Sequence, residues 1–106
     1  MTAEEIFNEK ISGKLTANAD KVKSINAIYE FDLTGDTPST WTIDLTKEGD
    51  FVSEGSSGNA KCTVSIKLDD LEAIVEKKLN PQMAFMSGKL KVKGDMGLAL
   101  KLGSIL

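Results

Sequence analysis

The chain opens with apolar residues at helical spacing. The stretch "TAEEIFNEKISGKL" places Ile6, Phe7 and Ile11 on one face of a predicted helix. Thr2 is a candidate N-cap, and the glutamates that follow it suit the positive end of the helix dipole. The apolar face either joins the core or makes a transient contact with a membrane, and we favour the core.

The next four segments alternate between apolar and polar residues, which is the pattern of half-buried strands. They are "SINAIYEFDLTG", "TWTIDLT", a short segment around Phe51 and Val52, and "AKCTVSIKL". Their inward positions are Ile25, Ala27, Tyr29, Phe31, Leu33, Trp41, Ile43, Leu45, Cys62, Val64, Ile66 and Leu68. The turn-forming runs "GDTPS", "KEGD" and "EGSSGN" separate these strands, so the pattern predicts a four-stranded antiparallel meander.

The period changes at Asp69, where "DDLEAIVEKKL" predicts a helix behind an Asp-x-x-Glu capping pattern. Asn80 is predicted to cap a second, short helix with Pro81 at its first position, and Gly88 to end it. The run "KLKVK" then predicts a fifth strand, and a final helix begins at Asp95.

The elements follow the order α, four β, αα, β, α. This order predicts an α+β fold with a five-stranded, mostly antiparallel sheet covered by helices. A chain of 106 residues can bury one core, so we expect a single domain over residues 1–106.

The final helix is apolar around its whole circumference. Its apolar positions are Met96, Leu98, Ala99, Leu100, Leu102, Ile105 and Leu106. One side of such a helix can meet the sheet, whereas the other needs either more core or a bound ligand. The adaptable side chains of Met83, Phe85 and Met86, on the preceding helix, would suit an acyl chain or a sterol. The pattern alone leaves both interpretations open.

The amino-acid composition argues against several classes of catalytic site, metal site and binding partner. The chain has no histidine, and it therefore lacks the commonest general base and the commonest metal ligand. A net charge of −3 argues against a nucleic-acid partner. The single cysteine cannot form an internal disulfide, and no apolar run is long enough for a signal peptide or a membrane span, so we expect an intracellular protein.

Few residues remain as catalytic candidates. Cys62 lies on the inward face of a strand, which favours a packed thiol over a nucleophile. Asp69 and Asp70 start a helix and are interpreted as dipole partners rather than an acid-base pair. We therefore expect no enzyme activity, cofactor or metal. The alternating lysines of "KLKVK" form either a solvated face or a docking site for anionic lipid headgroups.

The C-terminal run "LNPQMAFMSGKLKVKGDMGLALKL" closely resembles the signature of the sterol carrier protein 2, or nonspecific lipid-transfer, family. The likeness extends over most of the chain through "INAIYEFDL", "STWTIDLTKEG" and "AKCTVSI", and the hairpin is especially similar to the carrier domain of the peroxisomal D-bifunctional enzyme. The resemblance implies a hydrophobic tunnel that carries fatty acids, fatty acyl-CoAs or sterols without catalysis. It also allows an alternative role as a non-catalytic, lipid-presenting or membrane-docking module of a larger peroxisomal enzyme.

The resemblance also implies ligand contacts. The ligand-contacting glutamine of the family corresponds to Gln82, and the ligand-contacting position in the final helix corresponds to Leu100. We infer that the tunnel lining also includes Met83, Phe85, Met86, Leu98, Leu102 and Ile105. Its floor is assigned to Trp41 and Ile43. We expect a monomer in the peroxisome or the cytoplasm, although Ser104-Ile105-Leu106 lacks the basic residue of a Ser-Lys-Leu signal.

Overall fold

The computed structural model describes residues 2–35 and 38–106. A helical run, α1, consists of Ala3–Glu5, Ile6–Ile11 and Ser12–Ala17, of which the middle segment has π-helical hydrogen bonding. The other helices are α2 Ala19–Lys23, α3 Leu68–Val75, α4 Pro81–Met86, α5 Met96–Ala99 and α6 Leu102–Ile105. The strands are β1 Ile28–Thr34, β2 Ser39–Asp44, β3 Val52–Glu54, β4 Cys62–Lys67 and β5 Leu90–Gly94.

Helix α1 begins as its sequence predicts. The Thr2 hydroxyl accepts a hydrogen bond from the Glu5 N–H, and the Glu5 carboxylate accepts one from the Thr2 N–H, both at 3.1 Å. The π-helical segment brings Ile11, five residues after Ile6, onto the same face. Ile6, Phe7 and Ile11 are fully buried, which confirms that this face is core. The face is therefore not available for the membrane contact that we considered.

The five strands form one sheet in the order β3-β2-β1-β4-β5. Three pairs are antiparallel and one, β1 with β4, is parallel, so the mostly antiparallel α+β class is confirmed. The predicted four-stranded meander is wrong, because β4 pairs with the free edge of β1 instead of β3. Strand β3 has only three residues and little apolar surface, whereas β1 offers β4 a long apolar neighbour. The predicted turn between β1 and β2 includes Asp36 and Thr37, which lie outside the described residues.

One face of the sheet carries the core. The predicted inward residues of the first, second and fourth strands are buried, with two exceptions that lie outside the strands. Ile25 precedes β1 and Leu68 starts α3, and both are half-buried. The Phe7 ring of α1 stacks on Trp41 with centroids 4.9 Å apart, and it meets Phe31 edge-on at 5.6 Å. This aromatic cluster fixes α1 against β1 and β2.

Two helix boundaries differ from their predictions. Helix α3 begins at Leu68, so its N-cap is Lys67, which makes no side-chain capping bond. Asp69 and Asp70 lie inside the first turn, where they still face the positive end of the dipole. The predicted single C-terminal helix is two short helices, α5 and α6, because the chain turns at Leu100 and Lys101.

Candidate functional site

A cavity of about 800 Å³ lies between the C-terminal half of α3, helix α4, strand β5 and the two last helices. Its apolar walls include Ile74, Leu79, Phe85, Val92, Ala99 and Leu102. The side chains of Met96 and Leu100 stand at the opening, since they line the cavity and are 48% and 80% exposed. The cavity is therefore an apolar recess that is open to solvent at one rim.

Helix α4 forms one wall, and its sequence fixes where it begins and ends. The Asn80 side-chain oxygen accepts a hydrogen bond from the Gln82 N–H at 2.8 Å, and Pro81 occupies the first helical position. Gly88 follows the helix with a φ of +81°, which the absence of a side chain permits. These predictions are confirmed. The buried Ala84 faces the core, while Phe85 faces the cavity.

Helices α5 and α6 form the opposite wall. The Asp95 carboxylate caps α5 by accepting the N–H groups of Gly97 at 2.8 Å and Leu98 at 3.3 Å. The Tyr29 hydroxyl of β1 donates a buried hydrogen bond of 2.6 Å to the Leu98 carbonyl oxygen. Burial raises the pKa of Tyr29 well above its usual range, so the hydroxyl stays protonated and keeps donating.

Two lysine side chains donate hydrogen bonds to the C-terminal end of this wall. The Lys14 ammonium of α1 donates to the Leu106 carbonyl oxygen at 2.6 Å and to the Gly103 carbonyl oxygen at 3.4 Å. The Lys77 ammonium donates to the same Leu106 oxygen at 3.2 Å. Partial burial and the neighbouring Lys77 charge lower the pKa of Lys14 to about 8. Since this pKa lies above neutral pH, the Lys14 ammonium helps to hold α6 in place at neutral pH.

The cavity contains positive charge and neutral polar groups at its edge. Lys77, Lys78, Asn80 and Gln82 are its polar side chains, and no aspartate or glutamate of the described residues lines it. An apolar recess with cationic and amide groups at its rim matches an amphipathic ligand that has a long apolar part and a polar or anionic head.

Four of the ten predicted site residues line the cavity. They are Gln82, Phe85, Leu100 and Leu102. Gln82 is exposed at the rim, where its amide can reach a polar headgroup, and Leu102 is buried in the wall. The structure thus places the two positions taken from the family resemblance in one recess.

The other six predicted residues do not line the cavity. Trp41 and Ile43 lie in the core beneath α1, and Leu98 and Ile105 turn inward from α5 and α6. Met83 and Met86 are 59% and 74% exposed on the outer side of α4. That these residues contact a ligand stays a prediction.

The cavity also includes residues that sequence reasoning missed. Ile74, Lys77, Lys78 and Leu79 come from the end of α3 and the turn that follows, and Val92 comes from β5. The turn depends on Lys77, which has a φ of +64°, and no glycine or asparagine marks this position in the sequence. The helical periodicity identified Ile74 and Leu79 as apolar, but it could not assign them to a cavity rather than to the core.

Cys62 is the thiol that the sequence offers as a candidate nucleophile. The Cys62 thiol is buried, and burial together with the Asp95 carboxylate raises its pKa to about 11, which disfavours the nucleophilic thiolate at neutral pH. Residues 2–35 and 38–106 contain no group of three or more acidic or cysteine side chains that could hold a metal ion. Within the same residues, no helix has the length and apolar content needed to cross a bilayer.

Comparison with known proteins decides the family. Residues 7–106 match the model of the SCP-2 sterol transfer family. The chain belongs to this family. The resemblance that its C-terminal run carries is thereby confirmed.

Three similar proteins place this family member among its relatives. Human hydroxysteroid dehydrogenase-like protein 2 is 46% identical over 88 residues, which is 82% of this chain and 21% of that protein. The chain therefore spans about a fifth of the length of this relative. Apo sterol carrier protein 2 from Yarrowia lipolytica is 33% identical with a TM-score of 0.77, covering 94% of this chain and 85% of its own. Palmitated SCP2L2 from Aedes aegypti is 25% identical with a TM-score of 0.73, covering 99% and 94%.

Proposed function

We propose that this chain binds a lipid in the 800 Å³ cavity and carries it as a non-catalytic lipid-transfer protein. The observation that carries the proposal is an apolar recess at Leu100 and Gln82, the two positions that the family resemblance assigns to ligand contact. The ligands that fit this chemistry are fatty acids, fatty acyl-CoAs and sterols. The palmitated Aedes aegypti structure supports a fatty acid in particular.

The binding energy comes from apolar area. Burying a sixteen-carbon chain contributes on the order of 12 kcal/mol before ordering costs, at about 0.8 kcal/mol per methylene. Lys77, Lys78 and Gln82 add polar partners for a headgroup at the rim. Since most of the energy is nondirectional, we expect the protein to accept several lipids of similar size.

A second role follows from the lengths of the relatives. Because the chain covers only a fifth of human hydroxysteroid dehydrogenase-like protein 2, a domain of this kind occurs as one part of a longer protein. We propose as the alternative that the chain presents lipids to an attached or associated enzyme. In either role we place it inside the cell, in the peroxisome or the cytoplasm, as a monomeric single domain.

Native purification followed by organic extraction and mass spectrometry tests the proposal first. Titration of the delipidated protein with a fluorescent fatty acid, and displacement by palmitoyl-CoA, then measure the affinity. We expect saturable binding near one lipid per chain. Protein that carries no lipid and binds neither acyl chains nor sterol would contradict the proposal.

The Leu100→Glu variant tests the location. Leu100 is 80% exposed, so the fold should tolerate the change, while the carboxylate meets the apolar part of the ligand at the rim. Leu100→Met, which preserves an apolar side chain of similar volume, should bind like the wild type. Equal affinity in Leu100→Glu and Leu100→Met would remove Leu100 from the site.

A further inference from the structure

A sulfur atom that peroxides can oxidise lies at the opening of the cavity. Met96 of α5 lines the cavity and is 48% exposed. Among the residues that the structure describes, no other methionine or cysteine lines the cavity, since Met83 and Met86 lie on the outer side of α4 and Cys62 is buried in β4. A thioether reacts with peroxides in its neutral form and becomes a sulfoxide. A peroxide held at the opening of the cavity therefore meets the Met96 side chain.

The Cys62 thiol does not compete for such a peroxide. It is buried away from the cavity lining, so a bound ligand does not reach it. Burial, together with the Asp95 carboxylate, raises the pKa of Cys62 to about 11, so little of the reactive thiolate exists at neutral pH. Met96 is thus the reducing side chain that a ligand in the cavity can contact.

The polarity of the cavity identifies the class of peroxide. A hydroperoxide group that is buried without a hydrogen-bond partner would cost roughly 2–7 kcal/mol. The walls at Ile74, Val92 and Leu102 offer it no polar side chain. A lipid that carries a hydroperoxide would therefore place its apolar segments in the recess and leave the hydroperoxide at the solvent-exposed rim, where Met96 and Leu100 stand.

We propose that a lipid hydroperoxide bound in the cavity oxidises Met96 and is itself reduced to the corresponding alcohol. The proposal rests on lipid binding in the cavity and adds a reaction to it. Each chain reduces one hydroperoxide, because Met96 is consumed as its sulfoxide.

The reaction is balanced without a metal or a further reductant. A lone pair of the Met96 sulfur attacks the peroxide oxygen that carries the hydrogen, and the O–O bond breaks. Sulfur gives up two electrons, which leave with the oxygen that remains on the lipid. That oxygen takes the proton from the transferred oxygen through solvent at the open rim. The products are methionine sulfoxide and the lipid alcohol.

The folded protein can carry this modification. Met96 is the first residue of α5, whose cap consists of hydrogen bonds from the Gly97 and Leu98 N–H groups to the Asp95 carboxylate. Oxidation adds one oxygen to a half-exposed side chain and leaves these bonds intact. A methionine sulfoxide reductase can therefore restore the thioether for another turnover.

Peptide mass spectrometry of the delipidated full chain tests the proposal by comparing Met96 with Met86. Met86 is 74% exposed, so hydrogen peroxide should oxidise it at least as fast as Met96. The hydroperoxide of linoleic acid, added with a metal chelator, should reverse this order. Bound peroxide acts on Met96 at an effective concentration of about 1 mM or above, so at about 10 μM free peroxide the ratio of Met96 to Met86 sulfoxide should rise about 100-fold. Excess palmitate should protect Met96 without protecting Met86.

The Met96→Leu variant tests the reduction itself. Leucine preserves an apolar side chain of similar volume and removes the sulfur atom. Fluorescence titration gives the bound fraction of the hydroperoxide for each protein, and chromatography measures the alcohol formed per bound hydroperoxide. The wild type should form alcohol in equal amount to its Met96 sulfoxide, whereas Met96→Leu should form almost none.

Three results would overturn the proposal. They are a bound hydroperoxide that leaves Met96 unoxidised, the same ratio of Met96 to Met86 sulfoxide with both peroxides, and undiminished alcohol formation by Met96→Leu.

Displacement of a fluorescent fatty acid by the linoleic acid hydroperoxide separates this reaction from lipid binding. If the hydroperoxide displaces the fatty acid but does not oxidise Met96, the reaction fails and the carrier function stands. If neither the fatty acid nor the hydroperoxide binds, the carrier function fails and the reaction fails with it.

Discussion

Filling the cavity from Gly103 should block lipid binding without damaging the fold. Gly103 lines the cavity, and a Cβ built on it meets no atom within 4 Å. A Gly103→Leu side chain adds four carbons to the space that a ligand would occupy. If they displace about three methylenes of the ligand, at about 0.8 kcal/mol each, the loss is about 2.4 kcal/mol, or about 60-fold in Kd.

Gly13→Leu is the matched control. Gly13 is an exposed helical glycine of α1, where an added Cβ also meets no atom within 4 Å, and it does not line the cavity. Both variants should gain about 0.5–1 kcal/mol of stability, because leucine favours a helix more than glycine does. Fatty-acid titration and urea unfolding together are decisive. A folded Gly103→Leu protein with wild-type affinity would refute the cavity as the binding site.

Three further changes test the framework around the cavity. Tyr29→Phe leaves the buried Leu98 carbonyl without its donor and should cost about 1–3 kcal/mol in urea unfolding. Gly94→Ala should destabilise more than Gly88→Ala, because both positions have positive φ but only at Gly94 would a Cβ lie 2.3 Å from a backbone oxygen. The raised pKa of Cys62, about 11, means that burial favours the neutral thiol. The stabilisation that arises from this raised pKa is complete below about pH 9 and is lost as the pH rises to about 11. The difference in free energy of unfolding between the wild type and Cys62→Ala should therefore change only in that window.

The order of apolar and polar residues along the chain was sufficient to predict most of the helices and strands. Alternation in β1 and β2 identified Tyr29, Phe31 and Trp41 as inward, and all three are buried, because a half-buried sheet leaves a period of two in the sequence. Helix N-caps were also predicted correctly where a side chain accepts the capping hydrogen bond, as the side chains of Thr2 and Asn80 do. The cap at α3 was misplaced because Lys67 makes no side-chain bond there and leaves no local signal.

Strand order could not be predicted from the pattern. Pairing of β4 with β1 depends on which sheet edge is free and apolar, a property of the assembled sheet that alternation within each strand does not contain. The short β3 shows the same limit, since three residues with one apolar position do not specify a partner.

The same limit applies to the candidate site. Gln82 and Leu100 were located through the family resemblance, whereas periodicity could not divide the apolar C-terminal residues between core and cavity. Leu98 and Leu102, four residues apart, are both buried, yet only Leu102 lines the cavity. The turn at Leu100 and Lys101 causes this division, and neither residue is a conventional helix breaker.

The aromatic part of the core lies apart from the cavity, whereas Ile74, Leu102 and Leu106 belong both to the core and to the cavity lining. The stacked rings of Phe7 and Trp41, with Phe31 beside them, lie in the core between α1 and the sheet, and none of them lines the cavity. The walls that α4, α5 and α6 form are short helices, held in part by individual hydrogen bonds such as Tyr29 to Leu98 and Lys14 to Leu106. We therefore expect a lipid that binds in the cavity to enter or leave by adjustment of helices of four to six residues while the aromatic core stays packed. The apolar C-terminal segment thus has two roles, with its buried side chains completing the core and its exposed ones forming the rim.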